Sequence, residues 1–231
     1  MKKIVLIISL LAICSLNVNA QERTFNVGLK IGPNWAWANS PSEEAGKNLH
    51  AKTGFSTGVF FDSYFTNNFA FSTGVNFNIL SMNYQFTDLR QLPNYIEPTN
   101  ITVDRLFSGT YFEVPLKLKM TFDVADGVSV FADAGIGIEL NLSDKAKDTY
   151  TFNGIEYKDS DYVNVTDEYR RFQIAMKFDV GGAYQITNYF SVFAQLCFHH
   201  SFSNMFTREM REATGVNLKA NFIGLEVGIM H

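Results

Sequence analysis

The chain has 231 residues, and its 19 basic and 23 acidic residues give a net charge of −4. This length predicts one domain or two small ones. The acidic balance argues against a nucleic-acid partner, because phosphate binding favours clustered basic residues. Phenylalanine is very common, at 22 residues, while the average hydropathy is close to zero.

The first 20 residues have the organisation of a secretory signal peptide. Lys2 and Lys3 are basic, residues 4–13 are apolar, and Val18 and Ala20 fit a cleavage site after Ala20. A membrane anchor fits less well, because the apolar run is too short to cross a bilayer as a helix. We therefore predict a signal peptide over 1–20 and one domain over 21–231. Removing Lys2 and Lys3 from the 19 basic residues leaves 17 against 23 acidic ones, a net charge of −6.

Eight later segments alternate apolar and polar residues with a period of two, which predicts β-strands. In the first segment Phe25, Val27 and Leu29 share one face, whereas Gly28 and Lys30 lie on the other. Each segment is long enough to cross a bilayer at a tilt. The predicted strands cover residues 24–34, 53–65, 69–84, 110–122, 128–140, 171–186, 189–201 and 217–230.

The connections between these strands alternate in length. Residues 66–68, 123–127 and 187–188 are short and contain turn formers, whereas four connections are long and polar. The long ones cover residues 35–52, 85–109, 141–170 and 202–216. A soluble sandwich or a lipocalin-like barrel would share the strand alternation but not this sequence of long and short connections. The pattern predicts an all-β fold: a transmembrane, antiparallel, up-and-down β-barrel of about eight strands in the cell outer membrane, with its short turns in the periplasm.

Three segments carry a resemblance to a known family. Residues 111–119 read Tyr-Phe-Glu-Val-Pro-Leu-Lys-Leu-Lys. This resembles the Tyr-Leu-Glu-Ile-Pro-Leu-Leu-Leu-Lys signature of Bacteroidetes outer-membrane β-barrel proteins, the group that includes the PorT-like proteins. Residues 179–184 and 26–34 are similar to the sixth and the opening strand of that family. The resemblance covers essentially all of the chain after the signal peptide and implies the barrel. Because some PorT-like members take part in protein secretion, it also implies an accessory role in export.

The inward face of the predicted barrel carries charges of both signs. Ten such residues are predicted there: Lys30, Asp62, Glu113, Lys117, Lys119, Asp133, Glu139, Lys177, Asp179 and Glu226. In a narrow lumen these charges must pair. Asp133 and Glu139 are the expected partners of the charges on the fourth strand, because a short turn joins the fourth and fifth strands. Pro115 lacks an amide hydrogen and is expected where the sheet is bulged or locally unpaired. The set predicts a structural plug, and a narrow polar pore is the alternative.

One short motif has catalytic potential. His199-His200-Ser201 resembles the His-x-Ser of outer-membrane lipid A deacylases, with Glu209 or Glu212 as a candidate carboxylate. The predicted register, however, points His199 and Ser201 inward, away from a lipid substrate. His199 and His200 lie on opposite faces of their strand and cannot readily share a metal ion. We therefore predict no catalytic, cofactor-binding or metal site, and no enzymatic activity.

Aromatic residues are frequent in the long connections and at the strand ends. Near the membrane boundary they are expected to form the upper aromatic girdle. Those around residues 150–169 are expected to contact a partner or to extend the strands above the membrane. The aromatic set is Trp35, Trp37, Tyr84, Phe86, Tyr95, Tyr111, Tyr150, Phe152, Tyr157, Tyr162 and Tyr169. The connection over residues 141–170 is also acidic, and its acidic side chains are expected to be solvated. They are Asp144, Asp148, Glu156, Asp159, Asp161, Asp167 and Glu168.

Together these patterns predict a structural or interaction scaffold that displays four extracellular loops. The expected partners are outer-membrane lipid, the barrel assembly machinery and a protein at the loops. A narrow small-solute pore and a lipid A-modifying hydrolase are the alternatives.

Overall fold

The computed structural model describes residues 25–39, 50–90, 99–152, 155–158 and 161–231. The predicted signal peptide lies outside these ranges, as do Tyr95 and Asp159. The described residues form ten strands, a single turn of 3-10 helix at Thr166–Glu168 and a short helix, α1 (Arg208–Thr214). The strands are β1 (Phe25–Asn39), β2 (His50–Tyr64), β3 (Phe69–Arg90), β4 (Thr99–Ala125), β5 (Val128–Phe152), β6 (Ile155–Lys158), β7 (Val163–Asn164), β8 (Phe172–Gln185), β9 (Ser191–Ser201) and β10 (Lys219–Met230).

Eight of these strands close into a ring. Strands β1 to β5 pair antiparallel in chain order, β5 pairs with β8, and β8, β9 and β10 follow. Pairing of β10 with β1, at Leu29 and Ile229 for example, closes the barrel. The short strands β6 and β7 pair with β5 outside this ring. The predicted eight-stranded, antiparallel, up-and-down barrel is confirmed.

The two faces of the barrel wall follow the period of two in the sequence. Phe25, Val27 and Leu29 on β1 point outward and are 42–55% exposed, and the other ring strands repeat the pattern. All ten predicted inward charges are buried. Such an apolar exterior is stable only against lipid, because it would otherwise leave a continuous apolar belt in water. The predicted register is therefore confirmed.

Pro115 lies where the pairing between β3 and β4 is interrupted. Pairing between β3 and β4 is recorded at Asn76–Glu113 and Thr73–Leu116, but not at the two positions between them, which include Pro115. The Pro115 carbonyl instead accepts a hydrogen bond from the Thr73 hydroxyl at 2.9 Å. The prediction for Pro115 is confirmed.

Three strands are much longer than a membrane crossing requires. β3, β4 and β5 have 22, 27 and 25 residues, whereas about 9–11 residues suffice for a tilted transmembrane strand. The prediction of loops over residues 85–109 and 141–170 is therefore wrong, because most of the described residues in these two ranges are in strands. Pairing continues as far as Phe86–Val103 and beyond. Above the membrane the outward positions face water and become polar, so the apolar signal of a transmembrane strand stops before the strand does.

The core of the molecule lies at this extended end of the barrel. Inward residues of β3, β4 and β5 meet residues of the connections around Tyr169 and Phe206 in one large buried cluster. We call this cluster the cap. It includes Ala36, Leu80, Met82, Tyr84, Phe86, Phe107, Tyr111, Tyr169, Met205, Phe206, Leu218 and Phe222. No helix among the described residues is long and apolar enough to span a membrane.

Candidate functional site: the packed lumen and the extended sheet

Buried ion pairs fill the half of the lumen that lies nearer the short turns. Lys117 on β4 lies 2.8 Å from Asp133 on β5 and 2.6 Å from Asp179 on β8. Lys119 on β4 lies 2.7 Å from Asp62 on β2, and the pair spans the intervening strand β3. All five side chains are almost fully buried. The predicted pairing of Lys117 with Asp133 is confirmed, and it fixes three strands relative to one another.

A fourth pair joins the first and last strands of the ring. Lys30 on β1 lies 2.9 Å from Glu226 on β10, and Gln195 donates to the same carboxylate at 2.7 Å. All three side chains are buried, and their polar groups satisfy one another. The lumen is thus filled by side chains at this level.

A second group of charges lies nearer the cap. Glu113 accepts hydrogen bonds from Asn76 at 2.7 Å and Asn78 at 3.0 Å, and it pairs with Lys177 at 2.9 Å. Glu139 was expected to pair with a lysine on the fourth strand, and this is wrong. It lies instead opposite Glu113 in the β4–β5 ladder and 3.4 Å from the imidazole of His199. The reason is geometric, because β5 and β9 both flank β8, where Glu139 is paired with Gln173 and His199 with Lys177.

The turn end of the lumen is closed by aromatic rings. Phe60 and Phe193 meet edge to face at 5.4 Å, and Phe131 packs against Phe193 at 6.1 Å. The ammonium group of Lys119 lies 4.3 Å from the centre of the Phe131 ring, a cation–π contact. Below them is an open vestibule of about 640 Å³ at the mouth. Phe131 and Lys119 both line this vestibule, so the ion pair of Lys119 with Asp62 lies at its inner end.

The cap closes the opposite end. Tyr169 packs on Phe107 at 4.7 Å and on Phe206 at 5.3 Å, while Tyr84 and Phe86 contact Phe206 from β3. Tyr84, Phe86 and Tyr111 were predicted for the aromatic girdle, and this is wrong, because all three are fully buried. Tyr169 was expected to contact a partner or to extend the strands above the membrane, and it is instead buried in the cap. They point inward because they continue the inward register of their strands or fold over the mouth. Trp35, by contrast, is exposed at the upper end of β1.

A charged network lies inside the cap. Arg105 forms a bidentate ion pair with Asp148 at 2.7 and 2.9 Å and also pairs with Glu168. The Tyr84 and Tyr169 hydroxyls hydrogen-bond to each other, and burial raises the pKa of Tyr169. Asp148 was expected to be solvated, and it is buried because β5 continues past the membrane and turns it inward.

Asp144 is a second acidic residue of this connection that is buried and not solvated. Burial raises the pKa of its carboxyl to about 7, although Asn141 donates a hydrogen bond to it. Its backbone carbonyl holds Val165, so the residue anchors the connection that covers the mouth. At neutral pH a large share of this carboxyl is protonated.

The outer edge of the extended sheet exposes apolar side chains well above the membrane belt. β6 pairs with the end of β5, where the rings of Tyr150 and Tyr157 stack at 5.1 Å. Beside them Ile155, Tyr162 and Val163 are 58%, 49% and 54% exposed. We call Ile155, Tyr157, Tyr162 and Val163 the edge patch. The edge patch lies beyond Leu142, after which the outward residues of β5, such as Lys145 and Lys147, are polar.

The His-x-Ser motif lies inside the barrel as its register predicted. His199 and Ser201 are fully buried, and the Ser201 hydroxyl donates to the Ser203 carbonyl at 3.0 Å. The proposed carboxylates are wrong, because Glu209 and Glu212 lie on the exposed helix α1, and Glu212 pairs with Arg208. Glu139 is the carboxylate beside His199. Sequence spacing gave no signal for it, since 60 positions separate the two.

Comparison with known proteins agrees with this architecture. Residues 19–207 match the outer membrane protein beta-barrel domain family. The chain belongs to this family. The protein is therefore located in the outer membrane, where the apolar outer face of its barrel contacts lipid. No curated protein matches the barrel in sequence.

Several solved structures are similar to the barrel at low identity. Ail, the attachment invasion locus protein of Yersinia pestis, is 13% identical with a TM-score of 0.41, and covers 90% of this chain and 100% of its own. Neisserial surface protein A is 14% identical with a TM-score of 0.44, over 89% and 95%. The outer membrane protease OmpT from Escherichia coli is 8% identical with a TM-score of 0.38, over 94% and 99%.

Proposed function

We propose that this outer-membrane barrel is a non-enzymatic scaffold that presents its extracellular sheet to a protein partner. The edge patch is the observation that carries the proposal. Apolar and aromatic side chains beside an edge strand are a common recognition surface for an extended segment of another protein. Their exposure in water, away from the lipid belt, is unfavourable unless a partner covers them.

The closed lumen supports a scaffold over the pore alternative. Phe60, Phe131 and Phe193 pack at one end, the cap packs at the other, and paired charges lie between them. An eight-stranded barrel leaves little free cross-section even without such packing. Planar-bilayer recording on the purified barrel is expected to give no discrete conductance steps. Steady channel openings by the native chain would favour the pore.

The burial of His199 and Ser201 supports a non-enzymatic role over the lipid A hydrolase alternative. Their side chains are separated from lipid by the barrel wall, and the serine hydroxyl is engaged with a carbonyl. Mass spectra of lipid A are expected to be the same with and without the intact protein. Loss of an acyl chain that depends on Ser201 would contradict the proposal.

The scaffold proposal is tested by site-specific crosslinking on living cells. A photoreactive amino acid at Tyr157 is expected to capture a defined protein, and the same probe at Asn188, in a periplasmic turn, is expected not to capture it. Replacing Ile155 and Val163 together by Ser should abolish capture without changing the folded amount. Equal capture from both probes, or capture that survives this double change, would contradict a specific edge patch.

A PorT-like accessory role in secretion is the more specific form of this proposal, and it rests on the resemblance of residues 111–119, 179–184 and 26–34. Under this form the captured protein is a component of an export system. Assembly into the membrane by the barrel assembly machinery is part of the same proposal, since the transmembrane strands must close within the bilayer.

A further inference from the structure

The charges of the lumen do not balance. Below the cap, the described part of the barrel wall buries six carboxylates and four lysines, which leaves two negative charges in excess. The carboxylates are Asp62, Glu113, Asp133, Glu139, Asp179 and Glu226, and the lysines are Lys30, Lys117, Lys119 and Lys177. An uncompensated charge in a dry interior is very costly. Protons or a bound cation must therefore supply the missing positive charge.

The excess is concentrated at two places. Asp133 and Asp179 share Lys117, and both lie within 2.8 Å of its ammonium group. Glu113 and Glu139 lie directly opposite each other in the β4–β5 ladder, where like charges destabilise the pair. Lys177 contacts Glu113 but forms no recorded ion pair with Glu139. Glu139 is thus the carboxylate with the least compensation.

Polar atoms without a hydrogen-bond partner surround the pair of Glu113 and Glu139. The Glu139 Oε1 atom and both ring nitrogens of His199 are buried without a hydrogen-bond partner. One ligand atom from each of Glu113, Glu139 and His199 lies within 4.8 Å of the others, and all three side chains are at least 98% buried. Native interiors rarely leave such groups unsatisfied, and a bound ion is one established reason for such an arrangement.

We propose that Glu113, Glu139 and His199 bind one divalent transition-metal cation of the zinc type. A divalent cation would balance the buried set as a whole, and it would lie where Glu113 and Glu139 share the single lysine Lys177. One imidazole nitrogen with carboxylate oxygens suits zinc, whereas magnesium and calcium favour six or more oxygen ligands. The three protein ligands lie on β4, β5 and β9, so a bound cation would connect β9 to the β4–β5 pair across β8.

The surroundings of the cluster hold its ligands in place. Asn76, Asn78 and Lys177 donate to Glu113, which is the kind of outer support that orients metal-binding carboxylates. The His199 ring packs on Phe222 at 4.5 Å. Because both ends of the lumen are sealed, the cation would enter while the barrel forms and would exchange slowly afterwards.

Refolding in detergent with and without metal tests the proposal. The full chain, refolded with Zn²⁺ and freed of excess metal by gel filtration, should retain stoichiometric zinc and should unfold at a higher temperature than the same chain refolded with EDTA. EDTA added after folding should remove little of the zinc. Cobalt in place of zinc should give visible d–d absorption bands. Folding is checked independently by heat-modifiable gel mobility.

Matched variants assign the ligands. Glu139→Gln and His199→Gln preserve side-chain size and should lose both the retained zinc and the difference between zinc and EDTA refolding. His200→Gln, at the neighbouring position on the opposite face of β9, should keep both. A folded native chain that retains no zinc, or variants that bind as much zinc as the native chain, would overturn the proposal and assign the missing charge to protons. If both variants fail to fold, the zinc content of the native chain alone decides.

Discussion

Lys117 compensates two carboxylates in the lumen, so its loss has a large expected effect. Lys117→Met would remove the ion-pair partner that the buried Asp133 and Asp179 share. We expect a loss of about 3–5 kcal/mol in the free energy of unfolding, as for other broken buried ion pairs. Lys52→Met, at an exposed position on β2, is the matched control and should have little effect. Urea unfolding in detergent measures both, and equal midpoints for the two variants would contradict the structural role.

Asp144 makes stability depend on pH. Its folded carboxyl keeps a proton up to about pH 7, whereas the unfolded chain releases it near the ordinary value of 3.8. The folded state therefore binds more protons between these values, and its stability falls as the pH rises through this window. The side chain that Asp144→Asn introduces cannot titrate. The unfolding free energy of this variant, relative to that of the native chain, should therefore rise from about pH 4 to 7 and then stay constant. A difference in unfolding free energy that stays constant with pH would show that burial of Asp144 is not the cause.

At the scale of single strands, close backbone contact limits which residues the β4–β5 ladder accepts. A Cβ atom at Gly135 would lie 2.1 Å from the Leu116 carbonyl oxygen, while one at Gly182 would lie 3.5 Å from the Ser129 carbonyl. Gly135→Ala should therefore force the strands apart beside Lys117 and cost about 1–3 kcal/mol, as overpacking does. Gly182→Ala should be close to neutral. Thermal unfolding followed by gel mobility compares the two, and equal destabilisation would refute the steric explanation.

The strands show how far sequence alone could predict this protein. Alternation identified the ring strands and the inward charges, because lipid on one face and a packed lumen on the other impose opposite polarity. It placed the upper ends of β3, β4 and β5 in loops, because water outside and the cap inside weaken that contrast. Tyr84 and Phe86 could have given a signal, since they keep the inward register of Leu80 and Met82.

The cluster of Glu113, Glu139 and His199 had no comparable signal. Its members lie on three strands, and their approach depends on the tilt and register of the closed ring. Strand alternation predicts that each of these residues points inward, but it does not predict which of them lie at the same height in the lumen. His199 and His200 are adjacent in the sequence, but they lie on opposite faces of β9 and do not form a pair.

At the scale of the whole molecule, the N-terminal segment remains a prediction. Cleavage after Ala20 should give a mature chain that starts at Gln21, because the basic, apolar and small-residue regions are in the order that signal peptidase requires. N-terminal sequencing of protein from the outer-membrane fraction measures the start directly. Ala20→Phe, which enlarges the residue before the site, should slow processing. Recovery of Met1 in the membrane fraction would contradict the prediction.

The ion pair of Lys30 and Glu226 has a consequence for the order of folding. These residues are 196 positions apart, and they meet only where β1 pairs with β10. Contacts at such a separation carry a large loop-closure entropy and form late. Until then the curved sheet has two open edges, which invite pairing with other chains. We therefore expect the seam between β1 and β10 to be the last part of the wall to form, and a chain stalled at that stage to be the species most prone to aggregate.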